Sequence, residues 1–373
     1  MKSPLNIAVF SDIHLGHRRT PTESIVANLQ NAFLDGPELE ELDLLIFSGD
    51  VFDRLLNVPS NEVNEIQQWI TYVLRVCKKR GIRVRVLEGT PSHDWRQPKQ
   101  FETLNQAGID ADLVYHDTLE LEWIEELGVH LLYIPDEWKP DLEDVWQDAQ
   151  QVLYENGVTQ VDFVIMHGMF TYQVPAKATL PAHDPDRYAG IARQYVICGH
   201  VHTSSQYENI LVPGSFDRLA HGEEEPKGHW RLKVHESGDD YLTFVENEGA
   251  WRYDDIDIRG HDADSALVKI RDHLNGVSPG SFIRLLVNRE DGALNSMDAF
   301  RKTWPQYQWS PPKIFGENQR STDEIEDLRS KYQATPITPR SIEELTEQKL
   351  RSQLQDESWI PTCLELLKEH VHE

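Results

Sequence analysis

Five short segments of this chain carry imidazoles and carboxylates: Ser11-Asp12-Ile13-His14, Ser48-Gly49-Asp50, Gly89-Thr90-Pro91-Ser92-His93-Asp94, Met166-His167-Gly168 and Gly199-His200-Val201-His202. Nitrogen and oxygen donors of these types bind divalent cations, and two cations held together activate water for phosphoryl hydrolysis. Each segment alone is weak, since Asx turns after strands and exposed histidines are common. Their joint occurrence points to one site. Asp12 and His14 lie two apart, so both side chains can face one side of a sheet's end. Gly49 permits a tight turn that aims Asp50 inward, where two carboxylate oxygens can bridge two cations. Asp53 reads better as a supporting or capping residue than as a ligand. His93 lies in a loop with glycine and proline, placed to protonate a leaving oxygen or stabilise charge on phosphate.

Strand ends must position these groups. Four of the segments directly follow apolar, β-branched runs, and the third follows the mixed run Val84 to Leu87. Such runs fit buried parallel strands, whose carboxyl ends carry the sites of open α/β sheets. Strands are expected at Ile7 to Phe10, Leu44 to Phe47, Val84 to Leu87, Val129 to Ile134, Val161 to Met166, Tyr195 to Cys198 and Ile210 to Val212. Helices are expected over Thr22 to Leu34, from Val63 until Gly81 closes the turn after Lys78-Lys79-Arg80, and over Leu142 to Tyr154. The pattern is that of α/β layers around one or two sheets.

A smaller α+β unit is expected over residues 253–315. Its strands are Ile256 to Arg259, Phe282 to Val287 and Gln306 to Trp309, with helices Asp264 to Leu274 and Ser296 to Trp304. It brings no clustered ligands and reads as a lid or binding surface. Residues 316–340 are polar and proline-punctuated, as in a linker, and 341–373 carry two helices, the first opened by the capping box Ser341-Ile342-Glu343-Glu344. This helical pair either docks on a partner or packs on its own domain.

The 373 residues suffice for a large core domain and one or two smaller units. No apolar run approaches a membrane span, the start MKSPLNIAVF is too short for a secretory signal, and a cytoplasmic location is the expectation. Cys77, Cys198 and Cys363 form no zinc spacing and read as free thiols. A net charge of −27 counts against a large non-specific nucleic-acid surface on this chain alone. It leaves room for a nuclease whose metals and a few arginines contact phosphate while a partner supplies the grip.

The order of motifs resembles that of the calcineurin-like metallophosphoesterase superfamily, D-x-H, G-D, G-N-H-[DE], H and G-H-x-H. Within it the chain is most similar to SbcD-type nuclease subunits of DNA repair and recombination. Ser11 to His17 matches their S-D-x-H-L-G opening, Gly49-Asp50-Val51-Phe52-Asp53 with Pro59-Ser60 their G-D-V-F-D…P-S, and Pro213-Gly214-Ser215 with Glu223 to Glu225 and Lys227-Gly228 their P-G-S…E…K-G. The resemblance implies a layered α/β sandwich of mixed sheets flanked by helices over 1–250, a capping domain at 253–315 and partner-docking helices at 341–373. It also implies that Asp12, His14, Asp50 and His202 hold one metal, while Asp50, His167 and His200 hold the other. The chain departs from the pattern at Ser92, where the family carries asparagine; a serine hydroxyl is a weaker donor for the second metal.

The implied reaction is metal-dependent hydrolysis of DNA phosphodiesters with two Mn²⁺ ions, or Mg²⁺. His93 would assist the leaving 3′ oxygen, oriented by Asp94. Arg18, Arg54 and Arg96, with Arg19 and Arg218, are candidates to contact flanking phosphates. Implied partners are DNA, an SbcC-type coiled-coil ATPase and a second copy of the chain, with no membrane. Two alternatives stand beside this: a phosphoesterase for small phosphodiesters or phosphomonoesters, and a degenerate binding subunit that has lost the second metal.

Overall fold

Alternate residues of the central strands face two different cores, and this decides the architecture. The computed structural model describes residues 4–176, 178–316, 346–347, 349–351 and 360–364. Its strands and helices run β1 (Leu5–Phe10), α1 (Thr22–Ala32), β2 (Leu44–Ser48), α2 (Asn61–Arg80), β3 (Arg83–Leu87), α3 (Pro91–Asp94), α4 (Gln100–Gln106), β4 (Leu113–His116), β5 (Glu120–Ile124), β6 (Val129–Ile134), α5 (Leu142–Glu155), β7 (Val161–His167), α6 (Pro185–Ile191), β8 (Ala192–Gly199), β9 (Ser205–Tyr207), β10 (Ile210–Val212), β11 (Gly228–Val234) and β12 (Tyr241–Glu246).

These strands build two six-stranded sheets, ordered β12-β11-β1-β2-β3-β4 and β5-β6-β7-β8-β10-β9. β1 to β4 pair parallel in the first, and β6, β7, β8 and β10 in the second; antiparallel strands close one edge of the first sheet and both edges of the second. Ile7, Val9, Leu44 and Ile46 meet Leu131, Phe163, Ile165 and Ile197 between the sheets. Ala8, Phe10, Leu45 and Phe47 point the other way, into a core with α1 and α2 residues such as Ile25, Leu29, Trp69 and Ile70. α5 and α6 cover the second sheet through Val145, Ala149, Leu153 and Tyr188. The result is a four-layer α/β/β/α sandwich with mixed sheets. α2 shows how local sequence sets its bounds: the Ser60 side chain accepts from the Val63 N–H, and Gly81, at φ 72°, lets its N–H reach the Cys77 carbonyl.

The smaller module follows with β13 (Tyr253–Asp257), α7 (Ala263–Leu274), β14 (Phe282–Asn288), α8 (Met297–Thr303), β15 (Gln308–Trp309) and β16 (Lys313–Phe315). Ile256, Ile270, Ile283, Leu285, Val287 and Phe300 form its own core. Polar contacts fasten it to the sandwich: Tyr253 Oη lies 2.7 Å from Thr20 Oγ1, and His221 Nε2 lies 2.8 Å from Ser310 Oγ. Residues 1–314 make one compact unit and residues 315–373 another. The expected linker at 316–340 lies outside the described residues beyond Gly316. Of the expected terminal helices, only short helical stretches at 346–347, 349–351 and 360–364 are described. Among the described residues, no helix is long and apolar enough to cross a membrane.

Candidate metal centre

The carboxyl ends of β1, β2, β3, β7 and β8 deliver the five polar segments to one end of the two sheets. The loops after β1 and β2 are stitched together by Asp12 N–H to Gly49 O and His14 N–H to Asp50 O, both 3.1 Å. Asp12, His14, Asp50 and His200 all adopt left-handed backbone, with φ of 47°, 55°, 49° and 97°. Non-glycine residues there cost on the order of 1–3 kcal/mol each, and such strain gathers where geometry serves chemistry. Gly49, at φ 95°, must stay bare because a Cβ would strike the His167 ring; one on Gly89 would strike the Asp50 backbone.

Three donor groups result, with donor atoms in each within 4.8 Å of one another; His14, Asp53 and His93 form one that overlaps its neighbour through His14. Of the other two, Asp12, His14 and His202 form one and Asp50, His167 and His200 the other. Asp50 lies between them, its Oδ2 being 3.8 Å from His14 Nε2 and 3.3 Å from His167 Nε2. His14 Nε2 and His202 Nε2 approach to 3.1 Å. What stands behind each ring fixes its tautomer. His14 Nδ1 faces Asp53 Oδ1 at 3.2 Å, His202 Nδ1 faces Glu223 Oε1 at 3.1 Å, and His167 Nδ1 faces the Ser48 carbonyl at 2.8 Å. Each Nδ1–H therefore donates outward and leaves Nε2 with a lone pair toward the cluster, as metal-binding imidazoles require.

His167 Nε2 is buried, with the Asp50 carboxylate at 3.3 Å but no well-formed hydrogen bond, and a poorly satisfied polar atom in an interior is costly. Among the described residues, Asp12 and Asp50 pair with histidines and with no lysine or arginine. Buried carboxylates without a cation, facing aligned imidazole lone pairs, fit divalent metal ions. Burial opposes the charge on Asp50, but the His167, His14 and His93 imidazoles outweigh it and hold the carboxyl well below its usual range. His167 is buried too, yet Asp50, Asp12 and Asp136 push its pKa up.

His93 stands beside this cluster. Its ring meets that of His14 edge-on at 5.0 Å, and its Nδ1 lies 2.9 Å from the Asp53 carbonyl. That carbonyl, rather than the expected Asp94, orients the imidazole. Asp94 is fully buried and ties two loops together, accepting from Phe52 N–H at 2.8 Å and Gly89 N–H at 2.7 Å. Burial, with Asp50 and Glu88 nearby, raises its pKa well above the ordinary value.

Ser92 lies elsewhere than the motif spacing suggested. Pro91 opens the short helix α3, and Ser92 turns to solvent, its carbonyl accepting from the Trp95 indole at 2.7 Å. Thr90 faces the site instead: its N–H donates to Asp50 Oδ1 at 2.6 Å, and its hydroxyl lies 2.9 Å from Asp136 Oδ2. Asp136 and the His202 partner Glu223 had no assigned role in the sequence reading. The signal for Asp136 was another strand end: it follows the apolar run Val129 to Ile134 after one proline.

The arginines divide. Arg18 is exposed, and the Arg96 side chain is 77% exposed, 4.0 Å from Asp117. Arg54 is committed to Glu62 at 3.2 Å. Arg218 spends its guanidinium on the Glu223, Glu225 and Ala250 carbonyls, so phosphate contact is not its role.

The sequence pattern of the calcineurin-like phosphoesterases matches residues 5–204, more than half of the chain and all of the donor residues described above except Glu223. No curated protein matches the chain. Among solved structures, one crystal structure aligns with 65% of this chain and 99% of its own at 14% identity, with a TM-score of 0.38, and nothing further rests on that likeness.

Proposed function

This chain belongs to the calcineurin-like phosphoesterase family, and from that premise we propose that it cleaves DNA phosphodiesters as a metal-dependent exonuclease and endonuclease subunit. The observation that carries the reading is His93, held at the edge of a paired donor set that is open to solvent. His200 and His202 side chains are about one-third exposed, at 33% and 32%, and Trp95 beside His93 is 54% exposed. A polymer can reach such a shelf. The motifs shared with SbcD-type nucleases, and the module fastened beside the loop after His14, support DNA as that polymer.

Asp12, His14, Asp50 and His202 would hold one divalent ion, and Asp50, His167 and His200 the other, Mn²⁺ being the best fit to mixed nitrogen and oxygen donors. Bound ions supply Lewis-acid polarisation of phosphoryl oxygens and a water acidified to near neutral pH. The chain's own groups do the rest. Asp53 and Glu223 keep Nε2 of His14 and His202 aimed inward. His93 donates Nδ1–H to the Asp53 carbonyl, so its Nε2 is the atom that can hold a proton for the departing 3′ oxygen. An SbcC-type ATPase would supply the DNA grip that an acidic chain lacks, and pairing of two copies through the phosphoesterase domain completes the proposed assembly.

A second reading, a small-substrate phosphodiesterase, draws on a cavity of about 430 Å³ beside His200, lined by Asp136, Lys139, Leu180 and His183. Such a volume is enough for a small ligand. The deciding experiment is Mn²⁺-dependent cleavage of end-labelled duplex and single-stranded DNA beside bis(p-nitrophenyl) phosphate. DNA loss that disappears in His93→Ala supports the nuclease. Ester turnover without DNA cleavage, with an SbcC-type ATPase present, moves the assignment to small substrates.

A further inference from the structure

We propose that Asp136 is a direct ligand of the ion held by Asp50, His167 and His200, taking the place of the amide that the family pattern puts in the loop after β3. The inference rests on the metal-centre reading above. Three contacts carry it. Asp136 Oδ2 lies 3.6 Å from His200 Nδ1 and 2.9 Å from Thr90 Oγ1, and the same hydroxyl lies 3.3 Å from Asp50 Oδ2. Thr90 thus sits between two carboxylates and within 3.4 Å of His200 Nδ1.

The chemistry is compensatory. In this loop the residue after Gly89 is threonine, whose side chain ends one bond short of an asparagine oxygen, and Ser92 faces solvent. Asp136 enters from the end of β6 on the other sheet and brings an anionic oxygen. The Asp136 side chain is only 14% exposed, and among the described residues no lysine or arginine pairs with it; the nearby Lys139 is taken by Asp148 at 2.7 Å. A sheltered carboxylate against Asp50, with a hydroxyl holding its orientation, is stable when a cation sits beside both. Thr90 is then the tether and Asp136 the ligand.

Titration calorimetry of Mn²⁺ into the full chain tests this without any reaction. The wild type is expected to bind two ions. Asp136→Ala should keep one and bind the second at least about 100-fold more weakly, with Asp136→Ser read in its place should the alanine variant not fold. Thr90→Val should weaken the second ion by no more than about tenfold, and Ser92→Ala should match the wild type. A second ion bound within about threefold of wild type in Asp136→Ala would overturn the proposal. So would an equal loss in Thr90→Val, because Asp136 would then act only through Thr90. A wild type that binds fewer than two ions would overturn the two-ion reading itself, and this proposal with it.

Discussion

Glu223 shows how much of the centre is decided one residue behind the donors. Its Oε1 receives Nδ1–H of His202, and its Oε2 lies 3.2 Å from the buried Lys227 ammonium and accepts from Leu219 N–H at 3.0 Å. Burial opposes its charge, yet His202 and Lys227 hold its pKa down to about 2. Glu223→Ala should therefore do two things at once. Mn²⁺ affinity should fall about 10- to 100-fold as His202 loses its aim. Stability should fall by roughly 3–5 kcal/mol, because a buried ammonium is left without its nearest carboxylate. Calorimetry and denaturant unfolding measure the two separately; a metal loss without a stability loss would show that Lys227 is satisfied by Glu225 and the His202 carbonyl. Asp94 is the other hidden support. Replacing it with asparagine sets an NH₂ group against one of two backbone N–H donors, at about 1–3 kcal/mol in an unfolding experiment. The residue scale is also where the motif misled. Counting back from His93 puts Ser92 in the asparagine's place, but Pro91 starts a helical turn there, and a one-dimensional spacing cannot show which way the turn faces.

At the scale of elements, legibility followed burial. The carboxyl-terminal halves of β1, β2, β7 and β8 are buried on both faces, so they read as apolar runs, and the chemistry at their ends is visible with them. β5 and β12 are sheet edges with exposed positions along their length, so neither Glu120–Ile124 nor Tyr241–Glu246 forms the doubly buried apolar run that marks a central strand. β11 alternates Arg231 and Lys233 with apolar residues, which breaks the apolar run in the same way. Nor did spacing reveal that the strands divide into two sheets, since between-sheet and helix-facing residues are equally apolar. One consequence of β11 can be tested. His229 stacks on Phe10 at 4.3 Å and is buried, and its Nε2 accepts the Arg231 Nε–H at 3.2 Å, which requires a neutral ring. Burial first, then Arg231, lower its pKa to about 3. A group depressed in the folded state contributes stability above its unfolded pKa of about 6.5 and loses it as pH falls toward 3. Between pH 7 and 4.5 this amounts to roughly 2–3 kcal/mol. His229→Phe keeps the stack and removes the titration, so its acid-unfolding profile should be flatter by that amount. Parallel profiles for the two proteins would place the acid sensitivity elsewhere.

For the whole molecule, the tension is between the proposed cleavage of DNA phosphodiesters and a chain of net charge −27. A nuclease that gripped DNA by itself would need a basic surface, because released counterions supply most non-specific affinity. The candidate phosphate contacts are few. Arg18, Arg19 and Arg96 are exposed, Arg54 must give up Glu62 to join them, and Arg218 is spent inside the fold. With four contacts at most, the slope of log affinity against log salt should be no steeper than about −4. The isolated chain should bind duplex DNA weakly, and raising salt should reduce its cleavage only modestly. Adding an SbcC-type ATPase should steepen the slope, because the partner's cations would then hold the phosphates. Fluorescence anisotropy of a labelled duplex across a salt series, with and without the ATPase, measures both. A slope near −6 for the chain alone would reveal a basic surface that the described residues do not contain. A shallow slope that the ATPase leaves unchanged would count against that partnership, and with it against a DNA grip supplied in trans.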